Sequence, residues 1–295
     1  MTIKKGVIPC AGFGTRFLPF TKSQAKEMLP IIDTPTIEYI VKEAVDSGVK
    51  EILIVLNDKK SEIMKYFSRN IELERFLYNK EKIAELEQIK TKFDADIHYI
   101  MQDEQLGLGH AISLCKGFVD NEPFAVLLGD DLFKCNTPAI KQLIDLYEEK
   151  HSTILGTILI DKKDSKKYGI CQPETSQDNV CKVCSVIEKP EEQEAPSNIA
   201  IAGRYILTPE IFKYLDLQLK GKTGEIELTD SILKTIGDVD CYAKIIDGKR
   251  YDIGNKLGYL EAFVDFALDR EDTKNELIKI ISKVNEQKEV SKHNN

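Results

Sequence analysis

Over roughly the first half of this chain, short apolar runs alternate with segments in which apolar residues recur at helical spacing. Residues 51–56 and 124–128 are short, almost entirely apolar runs. Such runs are typical of strands that are buried on both faces of a parallel sheet. Strands are also predicted at 3–9 and 96–101. Between the strands, apolar residues recur at the spacing of one helix face, and the first such set is Ile37, Ile40, Val41, Ala44 and Val45. The alternation of strands and helices predicts an α/β fold.

Local signals predict where two of these helices begin. Thr34 before Pro35 predicts an N-cap followed by the first helical residue, because proline needs no hydrogen-bond partner at that position. A helix over 137–150 is predicted to begin in the same way, with Asn136 or Thr137 as its cap. These signals place both helix starts from the sequence alone.

The pattern changes after residue 152, where strands dominate. Helices are predicted from near Pro209, over 227–236 and over 256–270. No internal repeat and no linker rich in Pro, Gly or Ser divides the chain, so a single mixed α/β domain is the simplest account. The strands are predicted at 153–160, 168–172, 179–188, 198–207 and 241–247.

Two charged or amphipathic stretches complete the pattern. Residues 59–92 are highly charged with helical spacing, so we expect two or three helices on the surface there. Residues 273–289 form a helical pattern with a single apolar face, which needs a partner surface. That face consists of Leu277, Ile280, Ile281 and Val284.

Composition excludes several classes of protein. The formal net charge of −8 argues against a nucleic-acid binder, because a surface that neutralises many phosphates should be basic. No apolar run reaches the roughly 20 residues that a membrane helix needs, and no secretory signal is visible at the start. Seven scattered cysteines suit a reducing cytosol, so we expect a cytoplasmic protein. Cys181 and Cys184 lie in a strand-like run and are interpreted as small strand residues, not as zinc ligands.

A glycine-containing loop follows the first predicted strand. It runs Ala11-Gly12-Phe13-Gly14-Thr15-Arg16 and is followed by Lys26. It lacks the G-K-[ST] of a Walker loop, and Phe17 stands where the dinucleotide fingerprint needs its third glycine. Bare backbone N–H groups in such a loop favour phosphate, and Arg16 and Lys26 add positive charge. The loop therefore predicts a grip on a nucleotide triphosphate, although a glycine pair after a strand is also a common tight turn.

Carboxylates follow two predicted strands. Asp130 and Asp131 come directly after 124–128, at the strand end where ligands of open α/β sheets bind. Asp252 follows another strand. Hard carboxylate oxygens suit Mg²⁺, which takes one or two of them together with substrate phosphates. The alternative interpretation of the Asp130 pair is an acidic turn or helix cap.

Two further charged groups lie in the second half. In Glu188-Lys189-Pro190 the lysine can hold a second phosphate and the glutamate can accept sugar hydroxyls, although a charged turn is the alternative. Glu225 lies at the entry to the helix predicted over 227–236, and the helix dipole favours acidic residues there in any case. Glu225 is therefore only a candidate substrate contact.

Taken together and in order, these motifs resemble the bacterial UTP–glucose-1-phosphate uridylyltransferases. Each motif is weak alone, but the ordered set spans about residues 5 to 265. The matching segments are AGFGTRFLP at 11–19, TK at 21–22, KEMLP at 26–30, PTIEYIV at 35–41, Gln102, LGLGHAI at 106–112, LGDD at 128–131, YGI at 168–170, EKP at 188–190, GRYI at 203–206, GEI at 224–226, LTD at 228–230 and YDIG at 251–254.

The resemblance implies a Rossmann-like nucleotidyltransferase fold, with a mixed, mostly parallel central sheet flanked by helices. It implies a catalytic domain over 1–272, in which 1–150 binds nucleotide and 151–272 binds the sugar phosphate, and a helical tail over 273–295. It also implies the conversion of UTP and glucose 1-phosphate to UDP-glucose and pyrophosphate, a Mg²⁺ cofactor, and a homodimer or homotetramer.

The resemblance also assigns roles to residues of this chain. Catalysis would involve Arg16, Lys26, Asp130 and Lys189, and Mg²⁺ would be bound by Asp130 and Asp252. The nucleotide would be bound by Ala11, Gly12, Gly14, Thr15, Arg16, Lys26, Glu27, Gln102 and Gly107. The sugar phosphate would be bound by Asp131, Gly169, Glu188, Lys189, Gly203 and Glu225.

The chain departs from the family pattern at two positions. Ala25 and Gln105 stand where proline is usual, and we expect only small effects on stability or KM. Three other functions remain open: a sugar nucleotidyltransferase that uses dTTP, CTP or another sugar 1-phosphate, a catalytically silent nucleotide-sugar-binding regulator, and a sugar-transferring enzyme. The last would usually carry a D-x-D motif, whereas the two aspartates here are adjacent.

Overall fold

The computed structural model describes residues 2–90, 93–177, 179–217, 219–221 and 224–293. Its strands lie at β1 Lys5–Pro9, β2 Pro30–Ile31, β3 Thr34–Pro35, β4 Glu51–Leu56, β5 Asp96–Met101, β6 Phe124–Leu127, β7 Asp131–Lys134, β8 Thr153–Leu159, β9 Gly169–Gln177, β10 Val180–Glu188, β11 Ile199–Leu207, β12 Cys241–Ile245 and β13 Lys249–Asp252.

The helices alternate with these strands in the first half and cluster near the end of the chain. Short 3₁₀ turns lie at Thr15–Phe17, Phe20–Lys22, Lys26–Met28 and Lys162–Lys167. The helices lie at α1 Thr36–Asp46, α2 Ser61–Phe67, α3 Ile71–Asn79, α4 Ile83–Ile89, α5 Leu108–Ser113, α6 Lys116–Val119, α7 Ala139–Lys150, α8 Ile211–Leu215, α9 Leu228–Thr235, α10 Lys256–Asp269 and α11 Glu271–His293.

A nine-stranded mixed sheet runs through both halves of the chain, in the order β5-β4-β1-β6-β11-β8-β12-β10-β9. Parallel pairing joins β5, β4, β1 and β6, as the apolar runs predict. Beyond β6 most pairs are antiparallel. The short turn between β9 and β10 permits only antiparallel pairing, because a parallel pair needs a long crossover connection. The α/β fold class predicted from the sequence is confirmed. The expectation of a mostly parallel sheet is wrong, because only four of the eight neighbouring pairs in this order are parallel.

The core lies on both faces of this sheet. Val7 packs into the cluster under α5, α8 and α9, whereas its neighbour Ile8 packs into the cluster under α1 and α7. Leu53 and Ile54 divide in the same way. Successive residues of a strand point to opposite faces, so a strand covered on both sides must be apolar at every position.

A separate two-stranded ribbon, β7 with β13, lies beside the end of β6. Its antiparallel register places Asp131 opposite Asp252. A small cluster that includes Leu132, Tyr251 and Ala262 packs the ribbon against α10. The ribbon therefore brings together two acidic residues that are far apart in the chain.

The predicted helix starts are wrong by one or two residues. Thr34 is not an N-cap, because Thr34–Pro35 pairs with Pro30–Ile31, and α1 begins at Thr36 with Pro35 as its cap. The second start is shifted likewise, since α7 begins at Ala139 with Pro138 as its cap and not its first residue. Pairing with a neighbouring strand outweighs the local capping preference at Thr34.

The predicted helical tail is present as α11. Its first turn is attached to the body, since Thr273 Oγ1 donates to Ala267 O at 2.7 Å and the neighbouring Arg270 Nη1 contacts Asp33 Oδ1 at 2.6 Å. Ile280 and Val284 on its apolar face are exposed. In the part of the chain that the structure describes, no helix has the length and apolar character needed to cross a membrane.

Candidate active site

Two adjoining cavities open where β1 and β6 end. The loop cavity, of about 530 Å³, is lined by the glycine loop. The carboxylate cavity, of about 690 Å³, is lined by the three aspartates at 130, 131 and 252. Residues lining both cavities are Arg16, Leu108, Leu128, Asp130 and Glu225.

The structure places every predicted site residue against one of these two cavities. The nine predicted nucleotide residues line the loop cavity: Ala11, Gly12, Gly14, Thr15, Arg16, Lys26, Glu27, Gln102 and Gly107. The predicted sugar-phosphate and metal residues line the carboxylate cavity: Asp130, Asp131, Gly169, Glu188, Lys189, Gly203, Glu225 and Asp252.

Gly14 is the turning point of the glycine loop. Its φ of +66° lies in the left-handed region, which favours glycine. A Cβ there would lie 3.0 Å from Thr21 Cγ2 and 3.2 Å from Lys26 Cβ. Thr21 Oγ1 also donates to the Gly14 carbonyl at 2.9 Å. The loop is therefore folded tightly against the segment that carries Lys26.

Side chains of a segment that the sequence analysis did not single out hold the glycine loop through contacts with backbone groups. Residues 57–62, which we call the anchor segment, follow β4. Asn57 Nδ2 donates to Ala11 O at 2.7 Å, and Lys60 Nζ contacts the carbonyl oxygen of Cys10. Glu62 Oε1 accepts from the backbone N–H of Ala25 at 2.6 Å. The feature of the sequence that could have indicated this role is the run of polar residues directly after the buried strand β4.

Glu27 is held in a buried ion pair under the loop cavity. Its Oε2 lies 2.8 Å from Lys60 Nζ, and both side chains are almost fully buried. Its other oxygen, Oε1, is buried and has no hydrogen-bond partner among the residues that the structure describes. A buried acceptor without a partner is costly, and Glu27 is one of the residues that line the loop cavity.

Lys26 and Asp130 form an ion pair between the two cavities, with Nζ and Oδ2 2.8 Å apart. Burial alone would lower the pKa of Lys26, but the charges of Asp130 and Glu27 outweigh burial and raise it. Burial also opposes ionisation of Asp130, yet Lys26 and Arg250 hold the pKa of that carboxyl below its ordinary value. Both groups are therefore charged at neutral pH.

Asp130 and Asp252 face a common space over Gly254. A Cβ on Gly254 would lie 3.0 Å from Asp130 Oδ2 and 3.1 Å from Asp252 Oδ1. The N–H of Ile253 donates to Asp130 O at 3.0 Å, which ties the two strand ends together. Two hard carboxylates at the wall of the carboxylate cavity fit one divalent cation such as Mg²⁺. Among the described residues, no group of three or more His, Cys, Asp or Glu side chains forms a cluster that could hold a metal ion.

Asp131 is engaged by an arginine that the sequence analysis missed. Arg250 Nε donates to Asp131 Oδ1 at 2.6 Å, and its Nη1 donates to Tyr168 Oη at 3.0 Å. Burial raises the pKa of Asp131 to about 6 against the opposing charge of Arg250. The paired guanidinium keeps Asp131 ionised at neutral pH. The sequence feature that could have indicated the role of Arg250 is a positive charge two residues before Asp252, a predicted metal ligand.

Glu188 and Lys189 lie on the far wall of the carboxylate cavity. Thr229 Oγ1 donates to Glu188 Oε2 at 2.6 Å, and Glu188 Oε1 lies 3.1 Å from Lys189 Nζ. Burial lowers the pKa of Lys189, but the charge of Glu188 prevails and raises it. Lys189 has a φ of +43°, which is unusual for a residue with a side chain. Gly169 leaves space here, because a Cβ on it would lie 3.2 Å from Glu188 Oε2.

Backbone pairing joins the two cavities. Gly107 has a φ of +111°, and a Cβ on it would lie 2.8 Å from Ile226 O. The N–H of Gly109 donates to Ile226 O, and the N–H of Ile226 donates to Leu106 O, both at 2.7 Å. The segment that carries Glu225 is therefore fixed to the wall of the loop cavity.

Comparison with known proteins identifies the family. The model of the nucleotidyl transferase family matches residues 5–268. This chain belongs to that family. Nucleotidyl transferases similar to it include the UTP–glucose-1-phosphate uridylyltransferase of Staphylococcus haemolyticus, 48% identical over 96% of this chain and 98% of the relative. The Bacillus subtilis enzyme of the same name is 46% identical over 94% of this chain and 95% of its own length.

Solved structures of nucleotidyl transferases agree with the fold. A UDP-glucose pyrophosphorylase complexed with UDP-glucose superposes with a TM-score of 0.81 at 37% identity, covering 91% of this chain and all of that chain. The UTP-bound enzyme from Acinetobacter baumannii gives a TM-score of 0.86 at 36% identity, covering 95% and 98%. The family predicted from the ordered motifs is confirmed.

Proposed function

We propose that this chain catalyses the reaction of UTP with glucose 1-phosphate to give UDP-glucose and pyrophosphate. The observation that carries the proposal is the pair of adjoining cavities that share Arg16 and Asp130. One cavity has a glycine loop suited to a triphosphate, and the other has a lysine and hydroxyl-binding carboxylates suited to a sugar phosphate. The similar enzymes named above bear the name of this reaction.

The reaction needs positioning and charge more than a reactive side chain. An oxygen of the sugar phosphate attacks the α-phosphorus of UTP, in line with the departing pyrophosphate. No general base is required, because a phosphate is already deprotonated at neutral pH. Both substrates are anions and the chain carries a net charge of −8, so local cations must offset the repulsion. Arg16 and Lys26 lie on the triphosphate side, and Lys189 lies on the sugar-phosphate side.

Enzymes of this family generally use a divalent metal. We propose Mg²⁺ here, bound by Asp130 and Asp252, whose oxygens flank the space over Gly254. When bound, the metal would neutralise charge on the triphosphate. Lys26 would keep Asp130 ionised and correctly oriented through its 2.8 Å ion pair.

Pyrophosphate release measured over a matrix of nucleotides and sugar 1-phosphates tests the function. We expect UTP with glucose 1-phosphate to give the highest kcat/KM. A higher kcat/KM for dTTP or for another sugar 1-phosphate would support the related nucleotidyltransferases instead. Binding of UDP-glucose without turnover of any pair would support a regulatory homologue.

Substitution of Asp130 tests the proposed metal and phosphate site. We expect Asp130→Asn to lower kcat/KM by on the order of 10²–10³, because the carboxylate holds both Lys26 and the metal. Asp120→Asn, an exposed aspartate outside both cavities, is the matched control and should leave kcat/KM unchanged. Near-normal turnover by folded Asp130→Asn would refute the proposed site.

Three further statements remain proposals. Residues 1–272 form the catalytic region, with 1–150 binding nucleotide, 151–272 binding sugar phosphate and 273–295 forming a tail. The protein acts in the cytoplasm, and it assembles as a homodimer or homotetramer. The exposed apolar face of α11 supports the last proposal, because an apolar helix face is normally covered.

A further inference from the structure

The side-chain amide of Gln102 has a defined orientation in the wall of the loop cavity. Gln102 follows β5 and is only 3% exposed. Its Nε2 lies 3.3 Å from the carbonyl oxygen of Gly107 and 2.9 Å from Nδ1 of His110. A carbonyl oxygen can only accept a hydrogen bond, so the amide group that faces Gly107 must be the NH₂.

This orientation determines the protonation of His110. Because the NH₂ group of Gln102 donates, Nδ1 of His110 must accept, and the ring proton lies on Nε2. The amide oxygen of Gln102 accepts no hydrogen bond from any residue that the structure describes, yet Gln102 lines the loop cavity. The geometry therefore directs a bare carbonyl oxygen to the ligand.

The backbones of Gly107 and Gln102 are both held in place. The backbone on either side of Gly107 is fixed by the two 2.7 Å hydrogen bonds to Ile226. Gln102 is fixed as well, since its N–H donates to Leu56 O at 2.7 Å. The amide therefore cannot reach an alternative partner by a movement of the backbone alone.

We propose that His110 is a positioning residue that selects the nucleobase through Gln102. Uracil and thymine carry a hydrogen on N3, which the Gln102 oxygen can accept, whereas N3 of cytosine is a bare acceptor. Two acceptors that face each other leave a buried polar group unpaired, which is how sites reject an incorrect ligand. Without His110 only the longer 3.3 Å contact with Gly107 O holds the amide, so turning its NH₂ group towards cytosine becomes less costly. This inference rests on the proposed function, because it concerns the nucleotide of that reaction.

The test compares three nucleotides in three variants of the full chain. The nucleotides are UTP, 5-methyluridine triphosphate and CTP, each with glucose 1-phosphate. His110→Leu removes the acceptor, and His110→Asn can place an oxygen where Nδ1 lies. His98→Leu, an exposed histidine of β5, is the matched control.

We expect His110→Leu to lower the ratio of kcat/KM for UTP to that for CTP by about threefold to tenfold, the range for losing one buried hydrogen bond. The ratio of UTP to 5-methyluridine triphosphate and the KM for glucose 1-phosphate should not change, because both pyrimidines keep the N3 hydrogen. His110→Asn should restore most of the preference, and His98→Leu should keep all of it.

An unchanged UTP-to-CTP ratio in folded His110→Leu would overturn the proposal, as would equal loss of all three nucleotides. If His110→Leu does not fold by circular dichroism, His110→Phe keeps the ring volume without a nitrogen and is measured instead. Calorimetric binding of UTP and CTP separates this proposal from the reaction itself. If UTP binds more tightly than CTP and this preference depends on His110, the role of His110 is supported even when no pyrophosphate is released. If the enzyme turns over but His110→Leu leaves the UTP-to-CTP ratio unchanged, only the role of His110 is refuted, and the proposed reaction stands.

Discussion

Replacing Ala25 with proline should destabilise this protein. Ala25 is buried, and its N–H donates to Glu62 Oε1 at 2.6 Å. Its φ of −65° suits proline, so the ring itself fits and restricts the unfolded chain, which favours folding by about 0.4–1 kcal/mol. Proline has no N–H, however, and the lost hydrogen bond to a carboxylate costs about 1.5–3 kcal/mol. The net loss should be about 1–2 kcal/mol.

Urea unfolding followed by circular dichroism measures this change in the free energy of unfolding. A double-mutant cycle gives the sharper result, because Glu62→Ala removes the acceptor. In that background Ala25→Pro should stabilise the protein by about 0.4–1 kcal/mol. If Ala25→Pro stabilises the protein that retains Glu62, the hydrogen bond from Ala25 to Glu62 contributes less to stability than expected, and the prediction is refuted.

Three other predictions concern binding, stability and pH. Lys189→Ala should raise the KM for glucose 1-phosphate about tenfold through loss of one charge-assisted contact; a raised KM for UTP alone would contradict its place in the carboxylate cavity. Arg204→Met should lower the free energy of unfolding in urea by about 3–5 kcal/mol, because the buried Glu43, 2.8 Å away, loses its positive partner; a loss below about 1 kcal/mol would contradict this. Tyr251, with Lys249, lowers the pKa of Asp265 to about 2 from 3.8, so Asp265 stabilises the fold above about pH 4 and loses that effect as the pH falls towards 2. Asp265→Asn should therefore be less stable than the parent at pH 6 and equal to it near pH 2, and a constant difference in thermal unfolding over this range would refute the assignment.

The bounds that the sequence predicted best are those of β4 and β5, at 51–56 and 96–101. Coverage on both faces makes β4 a continuous apolar run, whereas β5 is an edge strand that is only partly buried. The predicted N-cap at Thr34, by contrast, is wrong. Its conformation is decided by pairing with Pro30–Ile31, which no local signal reports.

The same distinction applies to the site. The glycine loop and Asp130 follow strands that end at one edge of the sheet, so their proximity could be predicted. Arg250 and Lys60 could not be placed in this way, because their roles depend on a strand register and a loop contact. Arg250 reaches Asp131 only because β13 pairs with β7, and Lys60 reaches Glu27 only because the anchor segment passes under the loop.

The pairing of β6 with β11 has a consequence for synthesis of the protein on the ribosome. One edge of β6 pairs with β1, which is already made, but its other edge stays open until Ile199–Leu207 has been translated. At roughly 5–20 residues per second, that interval lasts several seconds. β6 is a short, fully apolar strand, and an open apolar edge can pair with another chain. The nascent first half therefore passes through an aggregation-prone stage, and protection by a chaperone would matter most before β11 emerges.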